Sequence, residues 1–153
     1  MSAVNDRLAE LGLALPAVAA PAGSYVPAVV TGNLVYTSGQ LPFVDGVLPA
    51  TGKVGAGVAA EDARGYAATS ALNALAAAAS AIGSLDRVTR VVKVVGFVAS
   101  DPSFTGQPGV INGASDLLKD LFGDAGVHAR SAVGVAVLPL DSPVEVELVL
   151  EFA

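Results

Sequence analysis

An α+β domain, with two helices packed on one face of a mixed sheet, is what this sequence predicts. Three stretches carry the prediction. Val144 to Phe152 alternates, with Val144, Val146, Leu148, Leu150 and Phe152 on one side and Glu145, Glu147 and Glu151 on the other. That period of two marks a strand with one buried face. Residues from about Glu61 to Ile82 repeat small and medium apolar side chains at helical spacing. Between them, Arg87 to Ala99 is a β-branched run too rich in Val for an exposed strand, so it belongs at the centre of the sheet.

In chain order, Asn5 to Leu11 reads as a short helix with Asn5 as its N-cap and Gly12 ending it. Pro16, Pro21 and Pro27 make residues 14–27 an extended crossing segment. Val29–Val30 and Leu34–Thr37 flank a turn at Thr31-Gly32-Asn33. Ser38-Gly39-Gln40 follows directly, and Gly39 lets a backbone or a ligand approach closely. In the long helix, Glu61 and Asp62 suit the N-terminal dipole and Gly83 the stop, with Ala68, Leu72, Leu75, Ala79 and Ile82 as the packing stripe. Asp101-Pro102-Ser103 turns the chain. Pro108 then opens a second helix whose inner face is Val110, Ala114, Leu117, Leu118 and Leu121, ending at Gly123. Two last strands, Ser131 to Leu138 and Val144 to Phe152, flank a turn at residues 139–143. The order is ββαβαββ, one domain spanning 1–153.

Composition excludes several classes of function. There is no cysteine, hence no disulfide, thiolate metal site or cysteine nucleophile, and one His excludes a multi-histidine metal site within a single chain. Eight Lys and Arg against fourteen Asp and Glu give a net charge of −6 with no basic cluster, which argues against nucleic acid as a partner. Charged residues are only 14 % and hydrophobic ones 53 %, a balance that fits surface covered by further copies of the chain. Leu11 to Ala20 resembles a signal core, but Asp6 and Glu10 give its flank the wrong charge. The uncharged run Gly65 to Leu85 is mostly Ala, with Thr69, Ser70, Asn73 and Ser80 interspersed. A buried helix fits it better than a membrane span, and a cytoplasmic location follows.

Arg130 opens an almost uncharged segment and needs an anion, either Glu145 on the next strand or a ligand carboxylate held by two parallel hydrogen bonds. Glu145 lies near Arg130 if the two strands form a hairpin; alone it reads as a solvated strand residue. His128 either titrates beside Arg130 or is incidental. Tyr25 and Asn112 can orient a ligand, or serve respectively as a packing residue and a solvent-facing helix residue.

The motifs SGQLP (Ser38 to Pro42), ARSAVGVAVLP (Ala129 to Pro139) and VEVEL (Val144 to Leu148) resemble the Rid superfamily, the YjgF or reactive-intermediate deaminase proteins. The resemblance runs from about Tyr25 onward, leaving 1–21 as an N-terminal extension. It implies a chorismate-mutase-like fold, a homotrimer with sites between subunits, and hydrolysis of small 2-imino or enamine acids to 2-oxo acids and ammonia without metal or organic cofactor. It also implies that Arg130 binds the substrate carboxylate and Glu145 activates water. Ser38, Gly39, Tyr25 and Asn112 would line or cover the pocket, with Ser131 and His128 beside the Arg. A carboxylate-binding regulator on the same trimer and an endoribonuclease are the alternatives. The archetypes read Pro-Ala-Arg-Ser-Cys-x-Glu where this chain reads His128-Ala129-Arg130-Ser131-Ala132-Val133-Gly134. These departures, the extension and the Gly-rich segment Thr105 to Gly109 resemble a side branch of the superfamily.

Overall fold

Alternation in the last strand sets the two faces of the sheet. In the computed structural model, which describes residues 3–153, the strands are β1 (Ala28–Thr31), β2 (Leu34–Thr37), β3 (Val88–Ala99), β4 (Ala129–Val135) and β5 (Val144–Phe152). Their spatial order is β1-β2-β5-β3-β4, with β3 and β4 parallel and every other neighbouring pair antiparallel. Val144, Val146, Leu148 and Leu150 of β5 are buried in one core with Val91, Val94 and Val98 of β3. Helices α2 (Ala60–Ile82) and α3 (Gln107–Phe122) cover that face. The fold is the mixed α+β architecture that the sequence predicts.

The long helix begins and ends where its charges and Gly83 place it. Gly83 takes φ 91° and its N–H donates to Ala79 O. Its packing stripe differs from the expected one. Leu75 and Ile82 are buried, but Ala68, Leu72 and Ala79 are only partly so, and the fully covered line is Ala63, Ala67, Ala71, Ala74 and Ala78. The helix is enclosed on several sides, so alanine permits close approach where a larger stripe would not. At one such contact, a Cβ on Gly113 of α3 would fall 1.9 Å from Arg64 O of α2. Asn73 completes the enclosure, donating to Leu41 O and Phe43 O at 3.0 Å each. The α3 inner face is as expected, with Ile111 added; its Cδ1 lies 2.5 Å from where a Gly96 Cβ would stand.

Three further expectations fail. Helix α1 runs Ala3–Glu10, so Asn5 lies inside it rather than capping it. The last two strands do not form a hairpin: β4 pairs in parallel with β3 on one side and β5 pairs with β3 on the other. β4 also starts earlier, at Ala129, and stops at Val135. Residues 136–143 then cross the end of β3, through a turn at Pro139–Asp141 in which Leu140 and Asp141 adopt φ 58° and 56°. Two prolines and two left-handed residues steer the chain away from a tight reversal.

Past β2, Gln40 resumes pairing with β5. Its N–H donates to Val146 O (2.8 Å) and its carbonyl accepts from Val146 N (3.0 Å). In the gap between, Thr37 Oγ1 accepts from Leu148 N at 3.0 Å. This irregular stretch sets Gly39 against Glu145.

Candidate functional site

Arg130 stands opposite Val94 on β4, so its side chain lies on the helix-covered face. Nη1 donates to Asn112 Oδ1 (2.7 Å) and Ser115 Oγ (3.1 Å), and Nη2 to Pro108 O (3.3 Å), all from α3. Every one of these acceptors is neutral. Among the described residues Arg130 has no carboxylate within ion-pair distance, while the nearby Asp116 pairs with Arg64 at 2.5 Å. A guanidinium has five donors; three are used, and the charge has no counter-ion.

His128 extends this network. Its Nδ1 lies 2.6 Å from Gly126 O and its Nε2 2.9 Å from Ser115 Oγ. A carbonyl only accepts, so the proton of the neutral ring sits on Nδ1 and Nε2 accepts from the Ser115 hydroxyl. The polarity therefore runs one way, from Arg130 through Ser115 and His128 to Gly126 O. Ser115, three residues after Asn112 on α3, escaped the sequence reading; that i, i+3 spacing is the signal that finds it. Arg130, His128 and Ser115 line an open groove of about 290 Å³ with Lys119 and Asp116.

Glu145 stands opposite Phe97, three residues along β3 from Val94 and on the other face. It is half-buried, and burial first, then the neighbouring Glu147 charge, raises its carboxyl pKa above the ordinary carboxylate value. A Cβ on Gly39 would fall 1.9 Å from its Oε1, so only glycine lets the carboxylate occupy this position. Both residues border a chamber of about 300 Å³ walled by Ala20, Pro21, Tyr25, Leu41, Phe43 and Leu140. Tyr25 is tied back through its Oη, which accepts from Ala22 N at 3.1 Å. Ser38 fastens the same wall, its Oγ donating to Val26 O at 2.7 Å. Ser131 lies opposite Val95, facing away from the helices.

One chain thus divides the expected residues into two groups. Arg130, Asn112 and His128 meet on the helix side, while Glu145, Gly39 and Tyr25 meet in the chamber. The pairing of Arg130 with Glu145 through a hairpin does not occur, because β3 separates their strands and they project from opposite faces. Among the described residues, no three His, Asp or Glu side chains come together as a metal site requires.

A scan of family models matches residues 5–152 to the YjgF/chorismate mutase-like family, whose description also offers endoribonuclease as a provisional role. The chain belongs to this family. Protein TCP17 of Trypanosoma cruzi is 48 % identical over 149 residues, spanning 97 % of this chain and 93 % of that one. A crystal structure from Agrobacterium tumefaciens, of a protein of unknown function, is 44 % identical with a TM-score of 0.92, covering 99 % of this chain and 93 % of that one. E. coli TdcF, solved with bound serine, is 27 % identical with a TM-score of 0.64, covering 90 % of this chain and 94 % of that one. Against the archetypal YjgF motif, Gly134 replaces a Glu, and a Cβ there would fall 2.8 Å from Gln107 Nε2. That amide donates to Phe104 O at 2.7 Å, so Gln107 fills the space the Glu side chain would enter. No helix among the described residues is long and apolar enough to cross a membrane.

Proposed function

We propose that this YjgF-family protein hydrolyses small 2-imino acids to 2-oxo acids and ammonia, at sites assembled between copies of the chain in a homotrimer. The observation that carries the reading is the Arg130 guanidinium, fixed by three neutral acceptors on α3 and left without a carboxylate. A preoriented cation of this kind suits a planar carboxylate. The bound serine in TdcF, itself an amino-acid carboxylate, supports the same ligand class.

Glu145 supplies the base. A carboxylate whose pKa is raised by burial takes a proton from water more readily than an exposed one. With the substrate carboxylate on Arg130, water adds to the C=N carbon as Glu145 takes one of its protons, and Glu145 passes that proton to the imine nitrogen to give a neutral carbinolamine. Glu145 then takes the hydroxyl proton and delivers it to the amine nitrogen, so the C–N bond breaks with release of NH3 as the C=O bond forms and the carboxylate is regenerated. An imine is already electrophilic, so orientation beside a positioned water supplies much of the rate.

Opposite faces in one chain require the two halves to come from different copies. The helix-free face of the sheet supports this, for Val29, Tyr36 and Val133 lie there exposed by 54 %, 45 % and 45 %. For RNA cleavage the charge is unfavourable, a net −6 with three of the eight basic residues, Arg7, Lys53 and Arg64, already paired with a carboxylate. The test generates 2-aminoacrylate or 2-iminobutanoate in situ with a dehydratase and follows 2-oxo acid release. Acceleration by wild type that is lost in both Arg130→Ala and Glu145→Gln supports the reading. No acceleration over the uncatalysed rate sinks it, and acceleration that survives Glu145→Gln removes the base.

A further inference from the structure

The chamber around Glu145 has a composition that says what enters it. Its walls are Ala19, Ala20 and Pro21 from the N-terminal segment, Leu41 and Phe43 beyond β2, and Leu140 from the β4–β5 crossing. Its polar side chains are few, Tyr25, Gln40 and Glu145. Tyr25 Oη accepts from Ala22 N, and Gln40 Nε2 approaches Ser38 O at 3.4 Å. The one ionisable carboxyl is Glu145, and no cationic side chain among the described residues lines the cavity. A polar or anionic group entering here would give up water for apolar wall or face a carboxylate.

Leu140 is the second, independent observation. It holds φ 58° and ψ 20°, a conformation that suits Gly or Asn and strains a leucine, and the residue is 67 % exposed at the chamber wall. The turn that holds it is fixed on both sides. Asp141 forms an ion pair with Lys53, its carbonyl accepts from Gly52 N at 2.9 Å, and Ser142 Oγ donates to Val144 O at 2.8 Å. An exposed leucine kept in a left-handed turn gains nothing for folding. Retained strain of this kind points to a role at a binding wall.

We infer that the segment 19–25 and Leu140 make this chamber a side-chain pocket selective for 2-imino acids with an apolar side chain, against polar or acidic ones of similar size. The inference rests on the proposed hydrolysis and adds the substrate class. Leu140 and the N-terminal wall are specificity determinants; they take no part in the proton transfers.

The experiment produces imines in situ with an amino-acid oxidase from alanine, norvaline, leucine, asparagine and aspartate, and measures kcat/KM for 2-oxo acid release. Leucine and asparagine are nearly the same shape, so that pair isolates polarity from size. The leucine-derived imine should exceed the alanine-derived one by about 10-fold or more, the range added methylenes give in an apolar pocket. The asparagine- and aspartate-derived imines should fall below alanine. Leu140→Gly should keep or raise Tm, keep the elution volume, and reduce the leucine preference several-fold. A flat or inverted series overturns the inference, as does a preference that Leu140→Gly leaves intact. A changed elution volume overturns it too, since Leu140 would then be a subunit contact. If no imine is hydrolysed, the enzymatic reading fails separately, and calorimetry with the matching 2-oxo acids decides the chamber. Tighter binding of the leucine-derived acid sustains it, and equal or absent binding ends it.

Discussion

The Glu145 chamber and the Arg130 groove reach their electrostatics by opposite means. The chamber is apolar, closed over by a proline-rich segment, and acts on its single carboxylate through desolvation. The groove is open and polar, and it acts on its guanidinium through aimed acceptors, Asn112, Ser115 and Pro108 O on one helix. Burial raises the proton affinity of an acid, which is what a base requires. Preset hydrogen bonds fix the direction of a permanent charge, which is what recognition requires. On the proposed reading, one half of the site serves proton transfer and the other orientation.

Breaking either half should have different signatures. Glu145→Gln removes the base and should lower kcat roughly 10²–10⁴-fold with a smaller effect on KM, measured on in situ imine. Arg130→Ala should raise KM roughly 10²–10³-fold, and Arg130→Lys should recover little, because a point charge cannot form the two parallel bonds. Gly39→Ala pushes a methyl into Glu145 Oε1. The carboxylate end of the side chain moves aside easily, so thermal unfolding should change little while kcat falls roughly 10-fold or more. Ser115→Ala takes one acceptor from Arg130 and the donor from His128 Nε2. A few-fold loss of carboxylate affinity should follow, from a net hydrogen-bond contribution of about 0.5–1.5 kcal/mol.

The raised Glu145 pKa also sharpens the contrast through pH. The folded state binds this proton more tightly than the unfolded chain does, so stability falls as pH rises from the ordinary carboxylate range through the folded value. Above the folded value the ionised, half-buried Glu145 is therefore a liability. Glu145→Gln should raise Tm at pH above that value and lose that advantage below the ordinary carboxylate pKa. Activity should move oppositely, falling in wild type as pH drops through the folded value and the base is protonated.

Local signals were the most readable. The alternation of β5 gave its bounds, Val144–Phe152, and the charges with Gly83 gave α2 to within a residue. Pairing was less readable, because two strands separated by a short turn-rich segment look like a hairpin whether or not a third strand lies between them. The same gap hid the site's layout. Motif resemblance pointed to Arg130 and Glu145, but which sheet face each occupies depends on register with β3, and that is a long-range fact. The Ala68–Leu72 stripe erred for a related reason: periodicity finds a face, but a helix enclosed by sheet, helix and loop has more than one.

The central claim is that Arg130 and Glu145 act together only across a boundary between copies. Co-expression of Arg130→Ala and Glu145→Gln chains, each inactive alone, tests it directly through imine hydrolysis by the mixed oligomer. Random mixing should restore activity toward about one quarter of the wild-type sites, each built from one intact Arg130 and one intact Glu145 on different chains. Mixed oligomers that stay as inactive as either parent would contradict the account and place both residues in a site completed within one chain.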